Sequence, residues 1–150
     1  MRIHTIGHSN RRWDDFLALL QRHGVTFLVD VRSRPRSRFP HFNAGRLAPA
    51  LESAGIRYVP MGESLGGKPN DPALYSGGGE PGKDFPDFNL VRETTHYREG
   101  IAALAEWVRE LPEGQICIVC AEGDPAKCHR TLLIRPDLET LGIEVVDIVG

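Results

Sequence analysis

Two cysteines and a histidine near the end of the chain have the types and spacing needed for nucleophilic or acid–base chemistry. Cys120 ends an apolar run, and Cys128 and His129 follow eight and nine positions later. A thiolate is a strong nucleophile, and an imidazole titrates near neutral pH. Glu122 lies between them and can orient an imidazole or take up a proton. These four residues are the first candidates for a catalytic site.

A run of arginines after an earlier apolar segment predicts an anion site. Asp30 precedes it, and four arginines then alternate with other residues: Arg32, Arg34, Arg36 and Arg38. A planar guanidinium group suits carboxylate and phosphate. If the run is extended, its arginines form a cationic strip, with Phe39 and Phe42 near enough to stack on a base or ring. The alternative is a solvated loop whose arginines pair with acidic residues.

The composition predicts one globular domain, residues 1–150. The chain has 150 residues, of which 41% are hydrophobic and 25% charged, which is ordinary for a globular protein. No apolar run has the length of a membrane span or a signal peptide, so we expect a cytoplasmic protein without a membrane partner. Residues 1–60 carry a net charge of +6 and residues 61–150 carry −8, which favours a local anion site over general attraction to nucleic acid.

Apolar periodicity predicts alternating strands and helices. Strands are predicted at 2–8, 26–31, 57–61, 115–121 and 144–149. Helices are predicted at 11–24, capped by Ser9 or Asn10, at 43–55, shortened by Pro49, at 95–110, and from Asp124 to 142 with an end or kink at Pro136. This alternation indicates an α/β fold, a single-domain, open, mostly parallel Rossmann-like sheet with helices on both faces.

Residues 66–86 are predicted to form a long loop. Six glycines and four prolines fall within these 21 positions. Loops of this length in compact domains are usually lids or binding loops, or else disordered linkers. We therefore expect a mobile flap over the site.

The carboxyl ends of parallel strands meet at one edge of the sheet, which is where ligands bind in such folds. Residues with catalytic chemistry follow three predicted strands: His8, Asp30, Cys120, Glu122, Cys128 and His129. Candidate substrate-binding residues lie beside them: Ser9, Asn10, Arg32, Arg34, Ser37, Arg38 and Arg130. The hypothesis that these side chains share one crevice underlies every functional prediction from the sequence.

Several of these segments resemble an uncharacterised family, domain of unknown function 488. The resemblance lies in the segments 5–10, 30–37, Leu65-Gly66-Gly67, 120–122 and Cys128-His129-Arg130. It implies a compact single-domain α/β protein and supports the position of the site. It implies no particular activity.

Two familiar cysteine sites do not fit the spacing. Cys117 and Cys120 lie three apart in a predicted strand, so their side chains point to opposite faces and cannot form a local pair. The Cys-x5-Arg loop of cysteine phosphatases is absent, because Ala126 and Ile134 stand where that loop needs arginine.

A metal site is a further interpretation of the same region. Cys120, Cys128 and His129, with His8 as a fourth member, could bind zinc. Against this, adjacent residues of a helix project about 100° apart, which would keep Cys128 and His129 from sharing one ion. The sequence requires no cofactor, and zinc stays an option.

Three functional hypotheses follow. The first is an enzyme acting on an anionic, phosphate-bearing or nucleotide-like substrate with the cysteine, histidine and arginine residues named above. The second is a non-catalytic module that binds nucleic acid or a nucleotide through Arg34 and Arg36. The third is a metal-stabilised domain, which predicts stoichiometric zinc.

Overall fold

Five parallel strands form one sheet in the order β3-β2-β4-β1-β5. The computed structural model describes residues 1–81 and 83–150. The strands are β1 (Arg2–Gly7), β2 (Phe27–Asp30), β3 (Arg57–Pro60), β4 (Ile116–Cys120) and β5 (Glu144–Asp147). Each lies within its predicted segment and ends one or two residues before the predicted limit.

Helices cover both faces of the sheet. They are α1 (Trp13–Arg22), α2 (Ala44–Ser53), α3 (Gly62–Leu65), α4 (Phe88–Glu93), α5 (Thr95–Glu110) and α6 (Arg135–Thr140). Side chains of α1 and α2 pack with Leu28 and Val119 on one face, and side chains of α5 and α6 pack with Val29 and Ile118 on the other. The predicted α/β fold with a parallel sheet is confirmed. Within the described residues, no helix combines the length and apolarity needed to cross a membrane.

The connections place a crevice between β2 and β4. From β2 the chain runs through α2 to β3, toward one edge of the sheet, and from β4 it runs through α6 to β5, toward the other edge. Because these connections leave in opposite directions on opposite faces, the loops after β2 and β4 diverge. Open α/β sheets bind ligands at such a point.

The turn after β1 differs from its prediction. Arg12 occupies the N-cap position of α1, so the expected cap by Ser9 or Asn10 is wrong. Ser9 has a φ of 49°, in the left-handed region, and its backbone N–H donates to the carbonyl of Ala121 at 3.0 Å. This hydrogen bond joins the turn after β1 to the loop after β4.

Helix α2 is longer than Pro49 suggested. It runs for ten residues with Pro49 inside it. A proline removes the hydrogen bond to the carbonyl four residues earlier. Here both Pro49 and Gly45 are exposed, so that carbonyl faces water and the helix continues.

The segment after β4 also departs from the prediction. Asp124 caps a turn as expected, since its carboxylate accepts the N–H of Ala126 at 3.0 Å, but this 3₁₀ turn ends at Lys127. Cys128 is extended, with φ −118° and ψ 145°. A new helix starts at His129 and passes through a π turn, Arg130–Ile134, into α6. The prediction of one helix from Asp124 through residues 128–130 is therefore wrong.

Residues 66–86 contain one short 3₁₀ turn, Pro72–Leu74, and are otherwise irregular in the described part. Leu74 and Tyr75 are buried in the core on the α5 face. Gly82, within this segment, lies outside the described residues. The mobility of the segment stays a prediction.

Candidate active site

Cys120, Cys128 and His129 converge at the carboxyl end of β4. The sulfur of Cys120 and that of Cys128 each lie 3.7 Å from Nδ1 of His129, and the three donor atoms lie within 4.8 Å of one another. All three residues are buried, with exposures of 7%, 2% and 5%. The prediction that Cys128 and His129 diverge on a helix is wrong, because Cys128 is extended and only His129 is helical.

The contact made by Nε2 of His129 determines which nitrogen of the neutral ring carries the hydrogen. Nε2 of His129 lies 3.1 Å from the carbonyl oxygen of Val31, just after β2. A carbonyl only accepts, so Nε2 carries the hydrogen. In the neutral ring, Nδ1 then has a lone pair facing both sulfurs. His129 is thus arranged to accept a thiol proton while staying anchored to the loop after β2.

Gly67 packs closely against this ring. A Cβ atom built on Gly67 would stand 2.5 Å from Cγ and 2.7 Å from Nδ1 of His129. A Cβ on the neighbouring Gly66 would overlap the hydroxyl oxygen of Ser33. The Leu65-Gly66-Gly67 motif therefore allows this loop to pass between the loop after β2 and the imidazole ring.

The two sulfurs have opposite acid–base character. A hydrogen bond from the Cys128 thiol lowers the pKa of Cys120, and His129 and the backbone N–H of Glu122 lower it further, against the opposing effect of burial. The same hydrogen bond, together with burial, raises the pKa of Cys128. Burial also raises the pKa of Cys117, which lies on the opposite face of the sheet. Cys120 is therefore the most acidic of the three cysteines.

A cavity of about 520 Å³ opens over these sulfurs. Its basic lining residues come from three separate loops and are not matched by equal acidic charge, since Glu122 is the acidic residue in the lining. An exposed phenylalanine, Phe85, lies at the same cavity. The basic residues are Arg32, Arg34, Lys68 and Lys127.

Arg32 is held rigidly beneath this cavity. Its Nη2 and Nε donate to the two carboxylate oxygens of Asp30 at 2.7 and 2.9 Å, and its Nη1 donates to the carbonyl of Phe42 at 2.7 Å. Tyr58 also donates to Asp30, at 2.6 Å. Asp30, predicted as a proton-transfer residue, has both oxygens engaged and acts as the positioning group for Arg32.

Comparison with known proteins supports the family resemblance. A family model, Domain of unknown function DUF488, matches residues 12–135. The chain belongs to the DUF488 family. The match includes the loops that carry the cysteines, His129 and Arg32, whereas the 5–10 segment lies before it. Comparisons with curated proteins and with solved structures found no match.

His8 of this DUF488 protein lies beside Arg32 and outside the cavity lining. Its Nδ1 lies 2.9 Å from the carbonyl of Ser9 and so carries the hydrogen, while its Nε2 accepts from Nη1 of Arg32 at 3.3 Å. Its ring stacks on Phe42 with centroids 4.3 Å apart. With both nitrogens engaged, His8 supports Arg32, and it is not among the three clustered donors.

We expect the DUF488 protein to lose stability as the pH falls, in part through His8. Burial lowers its pKa below the ordinary histidine value of about 6.5, and the nearby Arg32 lowers it further. As the pH falls through 6.5, the unfolded chain binds a proton that the folded protein does not, so the free energy of unfolding decreases. Urea unfolding at about pH 7.5 and about pH 5.5 measures this decrease. The decrease should be smaller in His8→Gln than in the wild type. An equal decrease in both proteins would show that His8 does not contribute to the pH dependence.

Other predicted site residues lie apart from the cavity. Ser9 and Asn10 line a separate cavity of about 510 Å³ beside α1. Ser37 accepts the backbone N–H of Phe39 within a turn, and Arg38 stacks over the Phe39 ring at 5.1 Å. These contacts shape the loop after β2, and Ser37 and Arg38 are not among the residues lining the thiol cavity.

Arg130 and Glu122 have different surroundings. Arg130 is buried and donates to the carbonyls of Glu122 at 2.6 Å and Gly123 at 3.5 Å, which holds the loop after β4 in place. The Glu122 side chain is exposed, lines the cavity and accepts the N–H of Asp124 at 3.0 Å. Only Glu122 of this pair can reach a bound molecule directly.

The predicted strip of four exposed arginines is wrong for Arg32. Arg34, Arg36 and Arg38 are exposed and alternate along the chain, but Arg32 is buried in its ion pair with Asp30. The expectation that Phe42 stacks on a base is wrong, because Phe42 is fully buried.

The thiol cluster also has the donor set for a soft metal ion. Zinc bonds of about 2.3 Å to sulfur and about 2.0–2.1 Å to nitrogen, at tetrahedral angles, separate sulfur from nitrogen by about 3.6 Å. The 3.7 Å distances found here are close to that value. Cys120, Cys128 and His129 are the residues that can hold such an ion, and His8 is not part of the set.

Several residues that line the cavity or position its side chains carried no strong signal in the sequence. Lys68 and Lys127 reach the cavity from loops that are far apart in the chain. Tyr58 looked like an ordinary strand residue, and the Val31 contact uses only a backbone carbonyl. The i, i+2 spacing of Asp30 and Arg32 was a usable signal, since such residues share one side of an extended chain.

Proposed function

We propose that this protein is an enzyme that binds a small anionic, phosphate-bearing or nucleotide-like substrate and attacks it with the sulfur of Cys120. One observation carries the proposal. The sulfur lies 3.7 Å from an imidazole nitrogen that is free to accept its proton, in a cavity lined by four basic residues. A nucleophile within reach of an oriented base is the arrangement used in covalent catalysis.

The positions of the hydrogens suggest the order of proton transfers. Nδ1 of His129 accepts the Cys120 proton, while the Nε2–H group continues to donate a hydrogen bond to the carbonyl of Val31. The resulting imidazolium can return this proton from Nδ1 to a leaving group. The neighbouring Cys128 lowers the pKa of Cys120 and so favours the thiolate as the attacking group.

The charge of the lining supports an anionic substrate. Arg34, Lys68 and Lys127 contribute three positive charges besides the paired Arg32, against the single negative charge of Glu122. A concave site with one sign of charge concentrates ligands of the opposite sign. The substrate's charged group is therefore expected near these three side chains, with its reactive atom over Cys120.

The proposal can be tested with two alkylating reagents that differ in charge. Iodoacetate and iodoacetamide share an electrophilic carbon, but only iodoacetate is an anion. We expect Cys120 to be modified first, and iodoacetate to be favoured over iodoacetamide by on the order of tenfold relative to the same ratio for a free thiol. Peptide mass spectrometry after timed quenching measures both rates. Most of the preference should be lost in Lys68→Gln/Lys127→Gln, which keeps Arg34.

Matched controls separate this hypothesis from its alternatives. Cys117→Ala removes the core thiol and Arg36→Gln removes a basic residue outside the cavity, so both should keep the charge preference. A nucleic-acid module predicts instead that Arg36→Gln weakens salt-sensitive binding of an oligonucleotide. A screen of phosphorylated metabolites and nucleotides should show turnover that Cys120→Ala abolishes, and turnover that persists in this variant would remove the thiol from the mechanism.

Metal analysis distinguishes the enzyme from the metal-stabilised domain. Zinc bound in a 1:1 ratio to the purified protein, with a lowered melting temperature after chelation, would favour the metal-stabilised domain. Such a result would contradict the free thiolate on which the enzyme proposal rests.

A further inference from the structure

We propose that Cys120 and Cys128 are a dithiol pair that reduces small disulfides carrying carboxylate groups, through an internal Cys120–Cys128 disulfide. The proposal rests on the proposed function in one respect, the assignment of Cys120 as the attacking sulfur. It goes further by naming the electrophilic atom as sulfur and by giving Cys128 a role in each turnover.

The two sulfurs are placed to join. Both lie 3.7 Å from one imidazole nitrogen and within 4.8 Å of each other. A disulfide needs them about 2.05 Å apart, so the side chains must move together. Cys128 is an extended residue between the turn ending at Lys127 and the helix starting at His129, so its movement does not require unwinding a helix.

The surroundings of the sulfurs assign their roles. Cys120 is the more exposed of the two, at 7% against 2%, and ends a strand at the cavity. It is the sulfur that meets an incoming molecule first. Cys128 lies deeper, beneath the first sulfur, so it is suited to react second. Cys117 packs on the other face of the sheet and cannot take part.

The reaction balances with a disulfide as the oxidant. The Cys120 thiolate attacks one sulfur of the substrate, the substrate S–S bond breaks, and the first thiolate leaves and takes the proton that His129 received from Cys120. Cys128 then loses its proton to His129 and attacks the Cys120 sulfur of the mixed disulfide. The second substrate thiolate leaves and takes that proton. The substrate disulfide is reduced to two thiols, and the protein dithiol is oxidised until an external dithiol reduces it.

The cavity lining specifies the charge of this disulfide. Arg34, Lys68 and Lys127 lie at the same cavity as the two sulfurs. Carboxylates on either side of a substrate S–S bond can be bound by these groups while the bond lies over Cys120. An amine-bearing disulfide would meet the same three cations and be repelled.

The test uses two small disulfides of opposite charge, dithiodiglycolate and cystamine, with the fully reduced full-length protein. We expect the rate of forming the Cys120–Cys128 disulfide with dithiodiglycolate, relative to cystamine, to exceed the same ratio for a free small dithiol by on the order of tenfold. Intact mass, which falls by two hydrogen atoms, and peptide mapping identify the product. Dithiothreitol should reverse it, and Lys68→Gln/Lys127→Gln should remove most of the preference for the anionic disulfide.

Cysteine variants make the outcomes distinct. Cys128→Ala should stop at a mixed disulfide with one thioglycolate on Cys120, whereas Cys117→Ala should behave as the wild type. If the wild-type protein also stops at the mixed disulfide, this inference is overturned while the reactive Cys120 of the proposed function stands. If neither reagent modifies Cys120, both proposals fail. A rate ratio no higher than that of the free dithiol would overturn the assignment of a carboxylate-bearing substrate.

Discussion

Gly67→Ala is expected to slow the alkylation of Cys120 by on the order of a hundredfold at neutral pH. The new methyl group would lie 2.5 Å from Cγ and 2.7 Å from Nδ1 of His129, closer than real contacts allow. The backbone N–H groups of the flanking Gly66 and Lys68 are hydrogen-bonded to Gly62 and Ser33, so we expect the imidazole ring, a side chain, to shift instead of the loop. Its Nδ1 then leaves the position 3.7 Å from the Cys120 sulfur, and the thiol loses its proton acceptor.

The measurement is the iodoacetate rate at Cys120 in the folded variant. Cys117 serves as an internal reporter, because it is fully buried and becomes reactive only when the protein unfolds. Gly45→Ala is the matched control, since a Cβ at Gly45 meets no heavy atom of the described residues within 4 Å. A wild-type rate at Cys120 in Gly67→Ala would show that His129 does not activate the thiol.

The sequence predicted the fold well because its signals are local. Apolar periodicity identified β4 and placed α5 at residues 95–110, where the structure has Thr95–Glu110. Alternating strands and helices then implied parallel strands and covered faces. Since parallel strands end at one edge, the same reasoning brought the loops after β2 and β4 together without knowledge of the strand order.

The details of the site depended on tertiary contacts that local patterns do not contain. Asp124 and Pro125 predict the start of a helix, but the turn that they begin ends at Lys127. The next residue, Cys128, is extended, and this allows both sulfurs to lie near one nitrogen of His129. Arg32 looks like its neighbours in the arginine run, yet it alone is buried against Asp30. Lys68 and Lys127 join the cavity only because separate loops fold over the same edge.

Arg32→Met is expected to lower the free energy of unfolding by about 3–5 kcal/mol, because it leaves the buried Asp30 carboxylate without its counter-charge. Arg32 and Asp30 are 4% and 1% exposed, so water cannot replace the lost guanidinium without opening the site. The carbonyl of Phe42 and Nε2 of His8 lose a donor in the same substitution. Proteins typically have a total free energy of unfolding of about 5–15 kcal/mol, so this loss would be a large part of the total.

Urea unfolding compares Arg32→Met with Arg36→Met, which changes an exposed arginine of the same loop and should cost less than about 0.5 kcal/mol. Asp30→Asn/Arg32→Met should recover part of the loss, because the amide removes the unpaired charge and can still accept the Tyr58 hydroxyl. A loss under about 1 kcal/mol in Arg32→Met would mean that the ion pair is open to solvent. Arg32 would then be free to bind a ligand directly, and the cavity would gain a fourth unpaired cation.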